Sequence, residues 1–117
     1  EQSQKPLLVS LGHWQSEELP EIRSRGGIQF LHCISEYPTP LEKVNLSSID
    51  FYGPIKGFSD HTIGISSSIA ALARGASIVE KHFTMDKDMD GPDHSCSITP
   101  VELAKLDEIR NDLKILL

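Results

Sequence analysis

The sequence contains few cysteines, no excess of positive charge and no long apolar run. Its 117 residues include two cysteines, Cys33 and Cys96, which are too few for a disulfide framework and fit a reducing cytoplasm. The formal net charge of −6 at pH 7 argues against nucleic acid or an anionic membrane as the main partner. No apolar run approaches the roughly 20 residues of a membrane span. What is left is one globular domain or less, whose ligands can still include phosphorylated small molecules.

Short apolar runs alternate along the chain with helix-like segments that end at Gly or Pro. The predicted strands are residues 5–10 in "KPLLVSLG", then "IQFLHCIS", "PIKGFS" and "SIVEKHF". The predicted helices are "SEELPEIRSRGG" with Ser16 as its N-cap, a short one in "LEKVNLSSI", "TIGISSSIAALARG" with Gly75 as its C-cap, and "TPVELAKLDEIRNDLKILL" with a Thr99–Glu102 capping box. The order β-α-β-α-β-α-β-α indicates a parallel sheet covered by helices.

Polar side chains follow the predicted strands at the points where the strands end. They are Ser10, Ser35, the run Ser59-Asp60-His61, and His82. In parallel α/β folds the chemistry lies at the carboxyl ends of the strands, so these four groups are expected to meet at one edge of the sheet. Alternation along the last strand directs Glu80 the same way as His82, where it needs a partner in either a metal site or an ion pair, and directs Lys81 to the opposite face.

Four segments in this order, "LHCISEYPTP", "GFSDHT", "EKHFT" and "GPDHSCS", resemble the barrel domain of the sialic acid synthase family. Members make N-acetylneuraminate, legionaminate or pseudaminate from phosphoenolpyruvate and an amino sugar. The resemblance covers nearly all of residues 1–117 and implies strands five to eight, half of a (β/α)8 TIM barrel. By the same resemblance, the first half of the barrel and the antifreeze-like domain are expected to be absent from this sequence.

The resemblance implies that His61 and His82 hold one divalent metal ion, Mn²⁺ most of all, with Mg²⁺ or Co²⁺ as alternatives. Imidazole is a common ligand for such ions, and two histidines leave positions open for water and substrate. The residues by themselves leave a second possibility, that each histidine only forms hydrogen bonds among the loops. Asp60 is interpreted either as a partner that orients an imidazole or as the N-cap of a helix beginning near Thr62.

The resemblance also implies the substrate contacts. Ser10, Ser35 and Ser59 match positions that hold the phosphate of phosphoenolpyruvate, although a lone serine is more often a solvated turn residue. Tyr37 and Asp93 match positions that contact the amino sugar or the reacting water, so Asp93 joins the two histidines as a candidate catalytic residue. Tyr37 packing on the Pro38 turn and Asp93 as a turn aspartate remain open alternatives. Two departures affect phosphate binding: many members have Asn where this chain has Ser35, and most read "STG" where it reads "SLG".

The implied activity is a metal-assisted condensation of phosphoenolpyruvate with an N-acyl amino sugar, which gives a nonulosonic acid and phosphate through C–O cleavage. Two alternatives are a phosphate- or metal-binding module that is inactive without the first half-barrel, and a small (βα)4 metal hydrolase. Half a barrel leaves both outer strands with unpaired edges, so self-association, or pairing with a first-half barrel, is expected. Neither nucleic acid nor a membrane is expected as a partner.

Overall fold

The computed structural model describes residues 4–117, which form four parallel strands and two α-helices. The strands are β1 (Leu7–Ser10), β2 (Ile28–Cys33), β3 (Ile55–Asp60) and β4 (Ile78–Lys81), and the helices are α1 (Ser66–Ala73) and α2 (Pro100–Leu116). The strands lie in the order β1-β2-β3-β4 with every neighbouring pair parallel, so the sheet is half of a barrel. All four predicted strands are confirmed. Neither α1 nor α2, the α-helices of the described residues, has the length and apolar character needed to cross a bilayer.

The sheet has an inner face and an outer face, which the pairing register distinguishes. Cys33, Ser59 and Glu80 are register partners on the inner face, and Asp60 and Lys81 are partners on the outer face. The main apolar cluster lies on the outer side, between the sheet, α1 and the turns that precede β3. Its buried members are Leu46, Phe51, Phe58, Ala71 and Ala76.

The helix predicted between the first two strands is wrong. Residues 16–23 form bends and irregular backbone, and a turn follows at 25–26. The Ser16 hydroxyl accepts a hydrogen bond from the Glu18 backbone N–H, and the Ser24 hydroxyl donates to the Lys5 carbonyl, so local side-chain bonds replace a helical ladder. Pro20 removes a donor in the middle of the segment, and the segment has too few apolar residues for a helical stripe.

The other helix predictions differ from the structure mainly in extent. Residues 41–49 form two short 3-10 turns, Leu41–Lys43 and Leu46–Ser48, rather than one helix. Helix α1 begins at Ser66, four residues later than expected. Its C-cap is Arg74 rather than the predicted Gly75, which is the next residue and has a positive φ of +107°, as is common just after a helix end. Helix α2 has the predicted capping box: the Thr99 side chain accepts from the Glu102 N–H while the Glu102 side chain accepts from the Thr99 N–H.

Candidate active site

Two histidines lie side by side at the carboxyl edge of the sheet. The pairing of β3 with β4 ends at Asp60 and Lys81, and the next residue of each strand is a histidine. The imidazole rings of His61 and His82 have their centroids 5.5 Å apart, with 69° between the ring planes. The juxtaposition expected from the strand-end rule is therefore present.

An aromatic side chain from the loop after β2 covers the two histidines. The Tyr37 ring stacks on His82 with a centroid distance of 4.1 Å and meets His61 edge-on at 5.6 Å. The loop is attached to the site because the Thr39 N–H donates to the His61 carbonyl at 2.8 Å. Burial is the main cause that raises the pKa of the Tyr37 hydroxyl, which therefore stays protonated at neutral pH. Tyr37 packs on the histidines and adds a phenol that can donate a hydrogen bond.

Asp93 lies next to the same group of rings. One carboxylate oxygen of Asp93 is 3.8 Å from Nδ1 of His82, and the Asp93 side chain is 54% exposed. Its backbone carbonyl accepts a hydrogen bond from the Ser97 hydroxyl at 2.6 Å and lies 3.5 Å from the Tyr37 hydroxyl, at the outer limit of such a bond. The backbone of Asp93 is thus held by its own loop, and its carboxylate is open to solvent and to a ligand.

A buried hydroxyl and a buried thiol lie one layer below the histidines. Ser59 is 2% exposed, and its hydroxyl donates to a carboxylate oxygen of Glu80. The expected partner of the inward-facing Glu80 is therefore a serine rather than a metal site or a basic residue. Cys33 lies beside them, with Sγ 3.7 Å from Nε2 of His61. Burial raises the pKa of the Cys33 thiol, the neighbouring Ser59 hydroxyl opposes that rise and the Glu80 charge adds to it, so the thiol stays protonated.

The three predicted phosphate-binding serines differ in exposure and in their neighbours. Ser10 ends β1, and the next strand carries Leu31, its register partner. The Ser35 hydroxyl lies against the backbone of Gly12, where an added Cβ would be only 2.0 Å from Ser35 Oγ. Gly12, which "SLG" shares with "STG", thus makes room for the side chain of Ser35. Ser10 and Ser35 are exposed, whereas Ser59 is buried and already donates to Glu80.

Asp60 is neither an imidazole partner nor a helix cap. Its carboxylate is fully buried on the outer face, where it accepts bonds from the Thr62 N–H, the Thr62 hydroxyl and the Ser68 hydroxyl. Residue Ile65 is the N-cap of α1, and no side chain caps it. Both interpretations of Asp60 from the sequence are therefore wrong. Nδ1 of His94 lies 2.7 Å from the hydroxyl of the buried Thr84.

The donor set of the histidine pair fits a divalent ion that keeps open positions. An imidazole nitrogen binds such an ion at about 2 Å, which puts each ring centre about 3 Å from it. The observed 5.5 Å between centroids is compatible with one ion that both rings reach. Within residues 4–117 no group of three or more His, Cys, Asp or Glu side chains is placed to hold an ion. The described residues would thus supply His61 and His82 as ligands, and water or substrate would complete the coordination.

One cleft of the described structure lies at the opposite edge of the sheet from the histidines. The cleft of about 510 Å³ at the amino ends of the strands is lined by Ile28, Phe30 and Lys56, among others, and contains none of the predicted site residues. The predicted residues that do converge are Tyr37, Ser59, His61, His82 and Asp93. Sequence reasoning missed the position of the Cys33 thiol, although the alignment of the second and third strand ends places it beside Ser59.

Comparison with known proteins identifies the family. A model of the NeuB family matches residues 1–116. N,N'-diacetyllegionaminic acid synthase of Campylobacter jejuni is 50% identical over 114 residues, covering 87% of this chain and 34% of the relative. N-acetylneuraminate-9-phosphate synthase of Homo sapiens is 38% identical over 113 residues, covering 87% of this chain and 31% of the relative. The chain thus spans about a third of the length of these relatives.

A solved structure agrees with this assignment. N-acetylneuraminic acid (sialic acid) synthetase from Leptospira borgpetersenii serovar Hardjo-bovis, in complex with citrate, matches with a TM-score of 0.76 at 31% identity. The match covers 93% of this chain and 42% of that chain, and it shares the parallel half-barrel architecture. Relatives of the matched sequence are synthases of sialic, legionaminic and pseudaminic acids. The chain therefore belongs to the NeuB family of nonulosonic acid synthases and their homologues.

Proposed function

We propose that residues 1–117 supply strands five to eight of the barrel of a synthase that condenses phosphoenolpyruvate with an N-acyl amino sugar. The products would be a nonulosonic acid and phosphate, formed with C–O cleavage. The observation that carries the proposal is the convergence of His61, His82, Tyr37 and Asp93 at the carboxyl edge of a parallel half-barrel. The names of the relatives, which are synthases of such acids, support it.

Each residue has a role that its position supports. His61 and His82 would hold the metal ion, Mn²⁺ by preference and otherwise Mg²⁺ or Co²⁺, and the bound ion would act as a Lewis acid toward the sugar aldehyde. The exposed carboxylate of Asp93 would accept a hydrogen bond from the amino sugar or from the water that adds to the condensation product. The Tyr37 phenol, kept neutral by burial, would donate to a sugar oxygen.

Three serine hydroxyls would donate to the phosphate of phosphoenolpyruvate. Ser10 and Ser35 are exposed and open to a ligand, whereas Ser59 donates to Glu80. Phosphate binding at Ser59 would therefore require its hydroxyl to turn away from the Glu80 carboxylate.

A second candidate function is a phosphate- or metal-binding module that has no turnover by itself. The observation that favours it is that the outer strands β1 and β4 each have a single neighbour in the described sheet. Unpaired strand edges are sites of association. We propose that the chain self-associates or pairs with a first-half barrel, and that it acts in the cytoplasm, as its two free cysteines suggest.

Titration with Mn²⁺ tests the metal site. The free-ion signal in electron paramagnetic resonance should fall as the chain is added, and either His61→Ala or His82→Ala should weaken binding by about tenfold or more, because each removes one of two protein ligands. His13→Ala is the matched control, since His13 is exposed and distant in sequence from both strand ends. Binding that is absent in the native chain, or that His13→Ala weakens equally, would contradict the proposal. Phosphate release from phosphoenolpyruvate and N-acetylmannosamine then separates a synthase from a binding module.

A further inference from the structure

A buried ion pair joins the two residues that immediately precede the histidines. Nζ of Lys81 lies 3.3 Å from a carboxylate oxygen of Asp60, and the two side chains are 4% and 0% exposed. Asp60 and Lys81 are the last register partners of β3 and β4. The pair therefore connects the strands at the point from which His61 and His82 project to the opposite face.

The same ion pair holds the backbone on both sides of His61. Lys81 donates to the Thr62 carbonyl at 2.6 Å, and Asp60 accepts from the Thr62 N–H at 2.8 Å and from its hydroxyl at 2.7 Å. The Ser68 hydroxyl of α1 donates to the second oxygen of Asp60 at 2.5 Å. His61 is thus bracketed by two residues that are both bound to Lys81, and Lys81 is the direct neighbour of His82.

A pair of buried charges needs a reason other than stability. Removing two charges from water is costly, and apolar residues of similar volume are often at least as stabilising. An ion pair differs from an apolar contact in being directional, because each hydrogen bond fixes the distance and angle between its partners. Here those bonds fix one strand end relative to the other.

We propose that the Asp60–Lys81 pair is a positioning element that sets the separation of the His61 and His82 imidazoles. Regular β3–β4 pairing stops at this pair, so it is the last contact of the ladder below the rings. The inference rests on the proposed function for its meaning, since a two-histidine metal site works only if both rings face one ion. Its test reads ring geometry directly and needs no metal.

The test compares ring-to-ring nuclear Overhauser effects in the native chain and in the double variant Asp60→Asn/Lys81→Met. The amide oxygen still accepts from Thr62, the amide NH2 can donate to the Ser68 hydroxyl, and the methionine fills the space of the lysine stem, so no charge is left unpaired. We expect the His61–His82 effect to fall about threefold, because loosening by about 1 Å acts on the sixth power of the distance. The affinity for Mn²⁺ should fall by about 10- to 100-fold while the urea midpoint stays near native.

A control and a milder variant keep the result decisive. Lys105→Met removes an exposed lysine from the Lys105–Glu108 pair of α2 and should leave the ring-to-ring effect unchanged. Ser68→Ala removes one donor to Asp60 without exposing a charge, and should give a smaller loss than the double variant. If the double variant does not fold, Ser68→Ala decides alone. A native effect in a folded double variant, or in Ser68→Ala in that case, overturns the inference. If the unmodified chain does not bind Mn²⁺, the proposed function is contradicted. The ring-to-ring effects of the native chain and the variants would still decide whether the ion pair positions the two rings.

Discussion

Gly57 lies on the inner face at a position where one added methyl group should lower the free energy of unfolding. Its register partners are Leu31 on one side and Ile78 on the other, and Ser59 and His61 follow on the same face. A Cβ at position 57 would lie 2.4 Å from Leu31 Cδ2, 2.6 Å from the Ile78 carbonyl oxygen and 2.9 Å from Ile78 Cβ. Real Cβ atoms do not approach other atoms so closely, so Gly57→Ala must move one of the neighbouring strands.

The magnitude follows from two opposing effects on stability. The Leu31 side chain can rotate, but the Ile78 carbonyl belongs to the backbone of β4, so the clash cannot be relieved by rotamers alone. Overpacking of this kind costs about 1–3 kcal/mol. Replacing glycine also restricts the unfolded chain, which favours folding by about 0.4–1 kcal/mol. The clash outweighs this gain, and we expect the free energy of unfolding to fall by about 1–2 kcal/mol.

Urea unfolding followed by circular dichroism measures this difference. Gly53→Ala is the matched control, because the nearest atoms to its Cβ all belong to Asp50 and lie 3.3–3.6 Å away. It should change the free energy of unfolding by less than about 0.5 kcal/mol. A Gly57→Ala chain as stable as the native one would refute the reasoning, since it would mean that β3 and β4 tolerate separation at the base of the site. We also expect weaker Mn²⁺ binding, because His61 follows Gly57 on the shifted strand.

Two further predictions concern the Lys87–Glu102 ion pair at the first turn of α2 and the open edges of the sheet. The hydrogen bond from Lys87 is the main cause that lowers the pKa of the Glu102 carboxyl, so its stabilising effect is present above the unfolded-state pKa and is lost as pH falls through the folded-state value. Between about pH 6 and pH 3, the free energy of unfolding should therefore fall more steeply in the native chain than in Glu102→Gln. Equal slopes would contradict the assignment. The exposed Glu108→Gln is the control and should keep the slope of the native chain. Analytical ultracentrifugation should detect dimers or larger species of the chain alone; a stable monomer with no exposed apolar surface would contradict the proposed association.

The four strands could be predicted from sequence because each contains a short apolar run, with turn-forming residues between the runs. The capping box at Thr99 was equally readable, since Thr, Pro and Glu at these spacings have a local cause. The segment 16–27 is wrongly predicted as a helix because it carries the same kind of local signal: Ser16 as an N-cap, Glu17 and Glu18 directly after it, and a Gly pair at its end. What it lacks is an apolar stripe long enough to gain from packing, and most helix stability in proteins comes from that packing.

Asp60 shows why the site could be predicted only in part. Because Asp60 directly precedes His61 in the sequence, a contact with the imidazole is one of its predicted roles. Strand alternation, however, directs adjacent side chains to opposite faces of the sheet. The alternation that assigns Lys81 to the outer face, applied to β3, assigns Asp60 to the outer face as well. There the two residues are register partners, and they form an ion pair. The histidines and their supporting charges therefore belong to two layers that only the backbone connects. A substitution on the outer face can alter the ring geometry without touching either ring, which is the physical content of the Asp60–Lys81 test.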